Sequence, residues 1–236
     1  ADVFSQFKKP LVRPLSMVTC YDATFASILD EAGIDVLLVG DSLANVMLGF
    51  TRTGDIGMPE MLHHTRAVRR GAPESCVVAD FPFGADTTPE LAAENAERLV
   101  HAGADAVKLE GCLPDQVRAI RARNIEVVGH LGLLPQTATS LKQTGRTPEE
   151  QARILSDAKT LEEAGCCAIV LEHIPTDLGE QITDALSIPT IGIGAGNRCA
   201  GQVLVMHDLL GMSTRQPPFA RRYAELRNQA VTALKS

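Results

Sequence analysis

Tryptophan is absent from this 236-residue chain, and Phe, Trp and Tyr together make up only 4% of it. A core built on stacked rings is thereby excluded, so packing must rest on Val, Ile, Leu and Ala. Positive charge is also short: 22 Lys and Arg face 29 Asp and Glu, for a formal net charge of −7. Nucleic acid or an anionic membrane as the main partner would need a basic face, and neither is expected. A small anionic substrate is compatible where a metal or a local Lys neutralises it. No apolar run reaches the roughly 18 residues of a membrane helix. Ala1 to Lys9 is polar and lacks the apolar stretch of a signal peptide. CxxC and Cys/His ligand spacings are missing as well. Cys20, Cys76, Cys112, Cys166, Cys167 and Cys199 therefore read as buried free thiols of a soluble, cytoplasmic protein.

What the chain does have is hydrophobic substance, 45% of its residues, enough for one sizeable core. Short β-branched runs recur at Ser16–Cys20, Asp35–Val39, Cys76–Ala79, Ala106–Leu109, Glu126–Val128, Ala168–Leu171, Thr190–Ile193 and Val203–Met206. Helical patterns separate most of them: Ala23–Ala32, Met58–Arg70, Pro89–Ala102, Leu113–Arg123, Pro148–Ala164 and Thr176–Leu186. Pro89 and Pro148 each follow a Thr, the pattern of a first-turn proline behind an N-cap. One local unit occurs three times, as Glu31-Ala32-Gly33, His101-Ala102-Gly103 and Glu163-Ala164-Gly165, each running directly into an apolar strand. Gly at such a corner can take the left-handed cap that ends a helix. Strands alternating with helices predict a parallel sheet. The expected fold is α/β, a (β/α)8 TIM barrel formed by residues 1–236 as one domain with a C-terminal helix; an open doubly wound sheet is the alternative.

Most predicted strands run into a polar group: Tyr21-Asp22, Asp41-Ser42, Asp80, Glu110, His130, Glu172, Asn197 and His207-Asp208. In a barrel, these ends form the catalytic face. Strand alternation puts Val107 and Leu109 on one face of their strand and Lys108 and Glu110 on the other. Charges facing the helix layer would be costly, so the second pair should point into the barrel mouth, as catalytic groups or as a structural ion pair. Asp41, Asp80 and Glu110 end separate strands; brought together, they would either carry raised pKa values or hold a cation. An all-oxygen set favours Mg²⁺ or Mn²⁺ over zinc. Glu172, with no Arg or Lys beside it in sequence, is a candidate general base. His130 could donate a hydrogen bond to substrate or be a satisfied core histidine. The Gly192–Asn197 loop offers backbone N–H groups suited to a carboxylate or phosphate.

Taken in order, Val39-Gly40-Asp41-Ser42, Ala79-Asp80-Phe81-Pro82-Phe83, Val107-Lys108-Leu109-Glu110-Gly111, Gly129-His130-Leu131-Gly132-Leu133, Leu171-Glu172 and Ile191–Asn197 closely resemble the 3-methyl-2-oxobutanoate (ketopantoate) hydroxymethyltransferase family, within the phosphoenolpyruvate mutase/isocitrate lyase superfamily. His64–Ala72 and Val205–Asp208 extend the match to roughly Met17–Gly211. The resemblance implies a Mg²⁺ site at Asp41, Asp80 and Glu110, substrate binding by Asp41, Ser42, Asp80, Lys108 and His130, and Glu172 as catalytic base. It also implies a 2-oxo acid substrate, methylenetetrahydrofolate as co-substrate (with formaldehyde as the other donor), a place in pantothenate biosynthesis, and a homo-oligomer, decameric in the family. The chain departs from the family pattern at Met47–Pro59, in a shorter Thr137–Arg146 loop, and at Arg215–Ser236, which lacks the family's longer carboxyl tail. Two other readings are a relative performing aldol addition or cleavage on a different 2-oxo acid, and a Schiff-base aldolase using Lys108.

Overall fold

The three Gly corners set the alternation of the fold. At each, two backbone hydrogen bonds close the preceding helix: Gly33 and Ile34 donate to Asp30 and Leu29, Gly103 and Ala104 to Val100 and Leu99, Gly165 and Cys166 to Glu162 and Leu161. All three glycines sit at positive φ (71°, 114° and 109°), as the sequence pattern requires. The next residue but one then braces the bottom of the sheet: Asp35 accepts from the Ser16 N–H and Asp105 from the Val77 N–H, each at 2.8 Å.

The computed structural model describes residues 13–140, 142–214 and 216–236. Ala1–Lys9, read above for a leader, and the first twelve residues of the expected 1–236 domain lie outside the described residues. Eight parallel strands, β1 (Leu15–Thr19), β2 (Val36–Val39), β3 (Cys76–Asp80), β4 (Ala106–Glu110), β5 (Glu126–Gly132), β6 (Ala168–Glu172), β7 (Thr190–Ile193) and β8 (Gly201–Leu204), pair in sequence order, and β8 returns to β1 to close a barrel. Helices α1 (Ala23–Glu31), α3 (Met58–Gly71), α4 (Pro89–His101), α5 (Pro114–Arg121), α6 (Pro148–Ala164) and α7 (Thr176–Ala185) cross between strands; α2 (Leu43–Val46) and α8 (Met206–Leu209) are single turns, and α9 (Leu226–Lys235) follows the barrel. The chain is thus a (β/α)8 TIM barrel. Thr88 and Thr147 cap α4 and α6 through their hydroxyls, and Glu150 completes a capping box at the second.

Strand alternation divides the core in two. Met17, Leu38, Val78, Ala106, Val128, Val170, Ile191 and Val203 fill the barrel interior, whereas Val18, Leu37, Val77, Val107, Leu109 and Ile169 pack beneath the helices. Inward positions continue up the strands as Asp80, Lys108, Glu110, His130 and Glu172. The interior is therefore apolar below and ionisable at its carboxyl-terminal mouth.

Two elements differ from expectation. The predicted strand Val203–Met206 ends at Leu204, and Met206 opens α8 with its N–H donating to the Thr19 hydroxyl at 2.9 Å. The predicted strand Glu126–Val128 continues to Gly132, so His130 lies within β5, not beyond it.

Gly71 is where α3 presses on the start of α1: a methyl group there would run into the Ala23 carbonyl oxygen. Gly→Ala in a helix ordinarily gains about 1 kcal/mol. Here overlap with backbone outweighs it, and Gly71→Ala is expected to destabilise by about 1–3 kcal/mol. Urea unfolding should show a lower midpoint at an unchanged slope; a raised midpoint would refute the contact.

Candidate active site

Sheet register builds the site. Asp80 pairs with Lys108 across β3–β4, Glu110 with His130 across β4–β5, and Glu172 lies opposite Gly132 across β5–β6. Asp41 and Ser42 follow β2 after the single residue Gly40. All seven of these side chains line one cavity at the barrel mouth, of about 110 Å³.

The contacts run around the mouth in sequence. The Asp41 N–H donates to Asp80 Oδ2 at 3.1 Å. Gly40 makes this approach feasible, because a Cβ there would meet Ser42 Oγ at 2.9 Å and Thr19 Cγ2 at 3.4 Å. Lys108 Nζ lies 2.9 Å from Asp80 Oδ1, an ion pair buried on both sides. His130 sits between two acids, its Nδ1 3.5 Å from Glu110 Oε1 and its Nε2 3.2 Å from Glu172 Oε2. Ser42 Oγ is 2.9 Å from the hydroxyl of the fully buried Tyr21, which donates in turn to Thr19 Oγ1 at 2.7 Å.

Four carboxylates thus share the mouth with one lysine and one histidine. Burial, and then the charge of Asp80, push the Asp41 carboxyl up to about 7 despite the opposing pull of Lys108. Burial raises Asp80 as well, more than Lys108 lowers it. For Glu110, burial is outweighed by His130 and Lys108, and the carboxyl is held below its ordinary range. Burial and Lys108 disfavour the imidazolium of His130, but Glu110 and Glu172 prevail and raise its pKa to about 9. Lys108 is raised too, burial being overcome by Asp80, Glu110 and Asp41 together. The positive groups are saturated with negative partners while two acids are still pushed toward protonation. Negative charge is in excess there.

Among the described residues, no three His, Cys, Asp or Glu side chains converge closely enough to hold a metal ion as they stand. The donor chemistry nevertheless suits a hard divalent cation. Asp41, Asp80 and Glu110 offer oxygen atoms to one cavity, and the excess negative charge is what such an ion would neutralise.

Two residues without an earlier role belong to this site. Gln136, on the loop after β5, donates from Nε2 to Asp41 Oδ2 and to the Phe81 carbonyl, both at 2.8 Å, and from its backbone N–H to Glu110 Oε2 at 3.2 Å. It ties together acids that lie far apart in sequence, and no spacing in the chain signals this, because the loop's path decides it. Tyr21 was visible only as a polar strand end. Asn197, by contrast, is exposed, and the glycines at 192, 194 and 196 lie against Cys199, Phe219 and Thr176, so close packing accounts for that loop. His207 packs against Tyr21 with ring centroids 5.6 Å apart.

The family model for ketopantoate hydroxymethyltransferase matches residues 3–236. A 3-methyl-2-oxobutanoate hydroxymethyltransferase of Ignicoccus hospitalis is 46% identical over 240 residues, covering 99% of this chain and 90% of that protein. One from a Cyanothece species is 50% identical over 231 residues, covering 94% and 88%. Among solved structures, 2,3-dimethylmalate lyase, a PEP mutase/isocitrate lyase superfamily member, shares the fold with a TM-score of 0.64 at 17% identity, covering 99% of this chain and 82% of the other. A match this long and this similar, carried by a barrel of the same kind, makes the chain a member of the ketopantoate hydroxymethyltransferase family.

Proposed function

We propose that the protein is a Mg²⁺-dependent hydroxymethyltransferase that adds a one-carbon unit to C3 of 3-methyl-2-oxobutanoate, giving 2-dehydropantoate for pantothenate biosynthesis. One observation carries this reading: Glu172 lines the same small cavity as Lys108 and the acids Asp41, Asp80 and Glu110. A carbon acid is activated where a base meets positive charge, here Lys108 together with the ion that the three acids would hold. The names of the relatives support the substrate.

Asp41, Asp80 and Glu110 would hold the ion, directly or through water. When bound, Mg²⁺ supplies Lewis-acid stabilisation of negative charge on a carbonyl oxygen. Lys108, kept protonated by its acidic neighbours, adds fixed positive charge at the site. Ser42 and His130 bind and orient the 2-oxo acid beside Glu172, and Glu172 takes the C3 proton. With methylenetetrahydrofolate as donor, a bond forms from C3 to the methylene carbon and both of its C–N bonds break. Water supplies the hydroxyl group; its remaining hydrogen and the C3 proton end on the two carrier nitrogens. No electrons are gained or lost overall, so no redox cofactor is required. A homo-oligomer, decameric as the family resemblance implies, and a cytoplasmic location are part of this proposal. Among the described residues, no helix is long and apolar enough to cross a membrane.

A Schiff base on Lys108 would require a neutral amine. The ion pair with Asp80 and the raised pKa oppose that. Borohydride added with 2-oxo acid is expected to leave the mass of Lys108-containing peptides unchanged, and a reduced adduct would establish the aldolase instead.

Two substitutions test the assignments. Glu172→Gln is expected to slow Mg²⁺-dependent deuterium exchange at C3 by about 10²-fold or more while 2-oxo acid binding is nearly retained. Normal exchange would remove Glu172 as the base. Asp80→Asn should raise the Mg²⁺ concentration needed for half-maximal binding, followed by calorimetry, by about tenfold or more; an unaltered titration would exclude Asp80 from the ion site.

A further inference from the structure

Thr53 lines the same barrel-mouth cavity as the acids, from the segment that joins β2 to α3. Its Oγ1 is buried and has no hydrogen-bond partner among the described residues. The cavity's other polar side chains differ in this respect. The hydroxyls of Thr19 and Ser42 are both tied to Tyr21, and each ionisable group has a polar partner within 3.5 Å. Burying a hydroxyl unpaired is costly, and a hydrogen-bonding ligand relieves that cost.

The turn that carries Thr53 is braced. Thr53–Asp55 form a single 3₁₀ turn, closed by the Asp55 N–H donating to the Arg52 carbonyl at 3.3 Å. Ile56, the next residue, is buried in the core beneath the helices. A Cβ on Gly54 would lie 3.4 Å from Phe83 Cβ and 3.8 Å from the Gln136 carbonyl oxygen, so the turn packs against the loops after β3 and β5. Gln136 is the residue that ties Asp41 to Glu110, and Thr53 is thereby fixed relative to both.

Position on the ring decides which end of a substrate Thr53 meets. β2 and β6 stand on opposite sides of the eight-stranded barrel, so Thr53, just beyond β2, lies across the mouth from Glu172 at the end of β6. In a 2-oxo acid, C3 and the carboxylate flank the keto carbon on opposite sides. A substrate lying across the mouth with C3 at Glu172 therefore turns its carboxylate toward the β2 rim. Carboxylate oxygens only accept hydrogen bonds, and a threonine hydroxyl can donate one.

We infer that Thr53 is a further substrate-binding residue, its hydroxyl donating to the carboxylate of the 2-oxo acid from the side of the mouth opposite the base. The inference rests on the proposed hydroxymethyl transfer and adds to it a group that orients C3 toward Glu172.

Thr53→Val keeps the shape of the side chain and removes the hydroxyl. With Mg²⁺ present, it should weaken calorimetric binding of 3-methyl-2-oxobutanoate by about tenfold or more, the loss expected for a hydrogen bond to a charged group. The Mg²⁺ titration without 2-oxo acid, and the KM for methylenetetrahydrofolate at saturating 2-oxo acid, should each shift by less than about twofold. Thr53→Ser retains the hydroxyl and should bind the 2-oxo acid within about threefold of wild type. The urea midpoint of ligand-free Thr53→Val should be no lower than that of wild type, because no hydrogen bond within the protein is lost. If the valine variant fails to fold, Thr53→Ala takes the same binding measurements. Unweakened 2-oxo acid binding in a folded variant without the hydroxyl, an equal loss in Thr53→Ser, a parallel shift of the Mg²⁺ titration or a lowered midpoint would overturn the assignment. Deuterium exchange at C3 by wild type separates the two levels. If wild type exchanges and the Thr53 results fail, this inference alone is refuted; if wild type does not exchange, the underlying transferase reading falls and this inference with it.

Discussion

Lys108 is buried in the barrel mouth with its ammonium 2.9 Å from Asp80, and three acids, Asp80 on β3, Glu110 on β4 and Asp41 just after β2, act on its charge. A buried ion of this kind is tolerated only when its partners are held in place, and here the closed sheet does the holding. β3–β4 register sets Asp80 beside it, and the turn after β2 brings Asp41 onto Asp80 through a backbone N–H. If that arrangement slipped by one residue, Lys108 and Glu110 would face the helix layer and Val107 and Leu109 the mouth. Closure of the barrel and the chemistry of its rim are therefore linked through strand register.

The electrostatics of the mouth are unbalanced in a directed way. His130 is drawn toward its charged form by the two glutamates flanking it, and Lys108 toward its own by three acids, yet Asp41 and Asp80 are still pushed toward protonation. Gln136 adds neutral hydrogen bonds to Asp41 and Glu110 without changing the net charge. A divalent cation fits such a place because it lowers repulsion among the acids already present. Glu172 stands at the other end of this network, with His130 as its neighbour and a mostly apolar wall on its far side. Glu172 thus separates a charged cavity from a mostly apolar one.

Legibility varied with how local each cause was. The three Gly corners, the two Thr-Pro helix starts and the inward facing of Lys108 and Glu110 follow from left-handed backbone, capping and two-residue alternation, and all are found where the chain predicts them. At β8 the local pattern misled. Val203 to Met206 has strand composition, but the Thr19 hydroxyl on the neighbouring β1 takes the Met206 N–H and a helical turn begins instead. Gln136 was unreadable for a similar reason: its three hydrogen bonds reach residues 26 to 95 positions away, and only the route of a loop selects them. The Gly192–Asn197 loop invited an anion-binding reading, whereas its glycines serve the close approach of Cys199, Phe219 and Thr176.

By itself, then, the sequence determined the alternation of strands and helices, the closed-barrel class, the family, and the set of ionisable residues at the strand ends. Periodicity and capping act over a few residues and need no knowledge of the rest of the chain. Tertiary structure alone decided which acid meets which cation, that His130 lies between Glu110 and Glu172, and that Phe219, some 47 positions beyond Glu172, closes a second cavity against it. Those relations depend on barrel closure and loop paths, which bring distant segments within a few ångströms, and charge and packing at such distances are not encoded by any one segment.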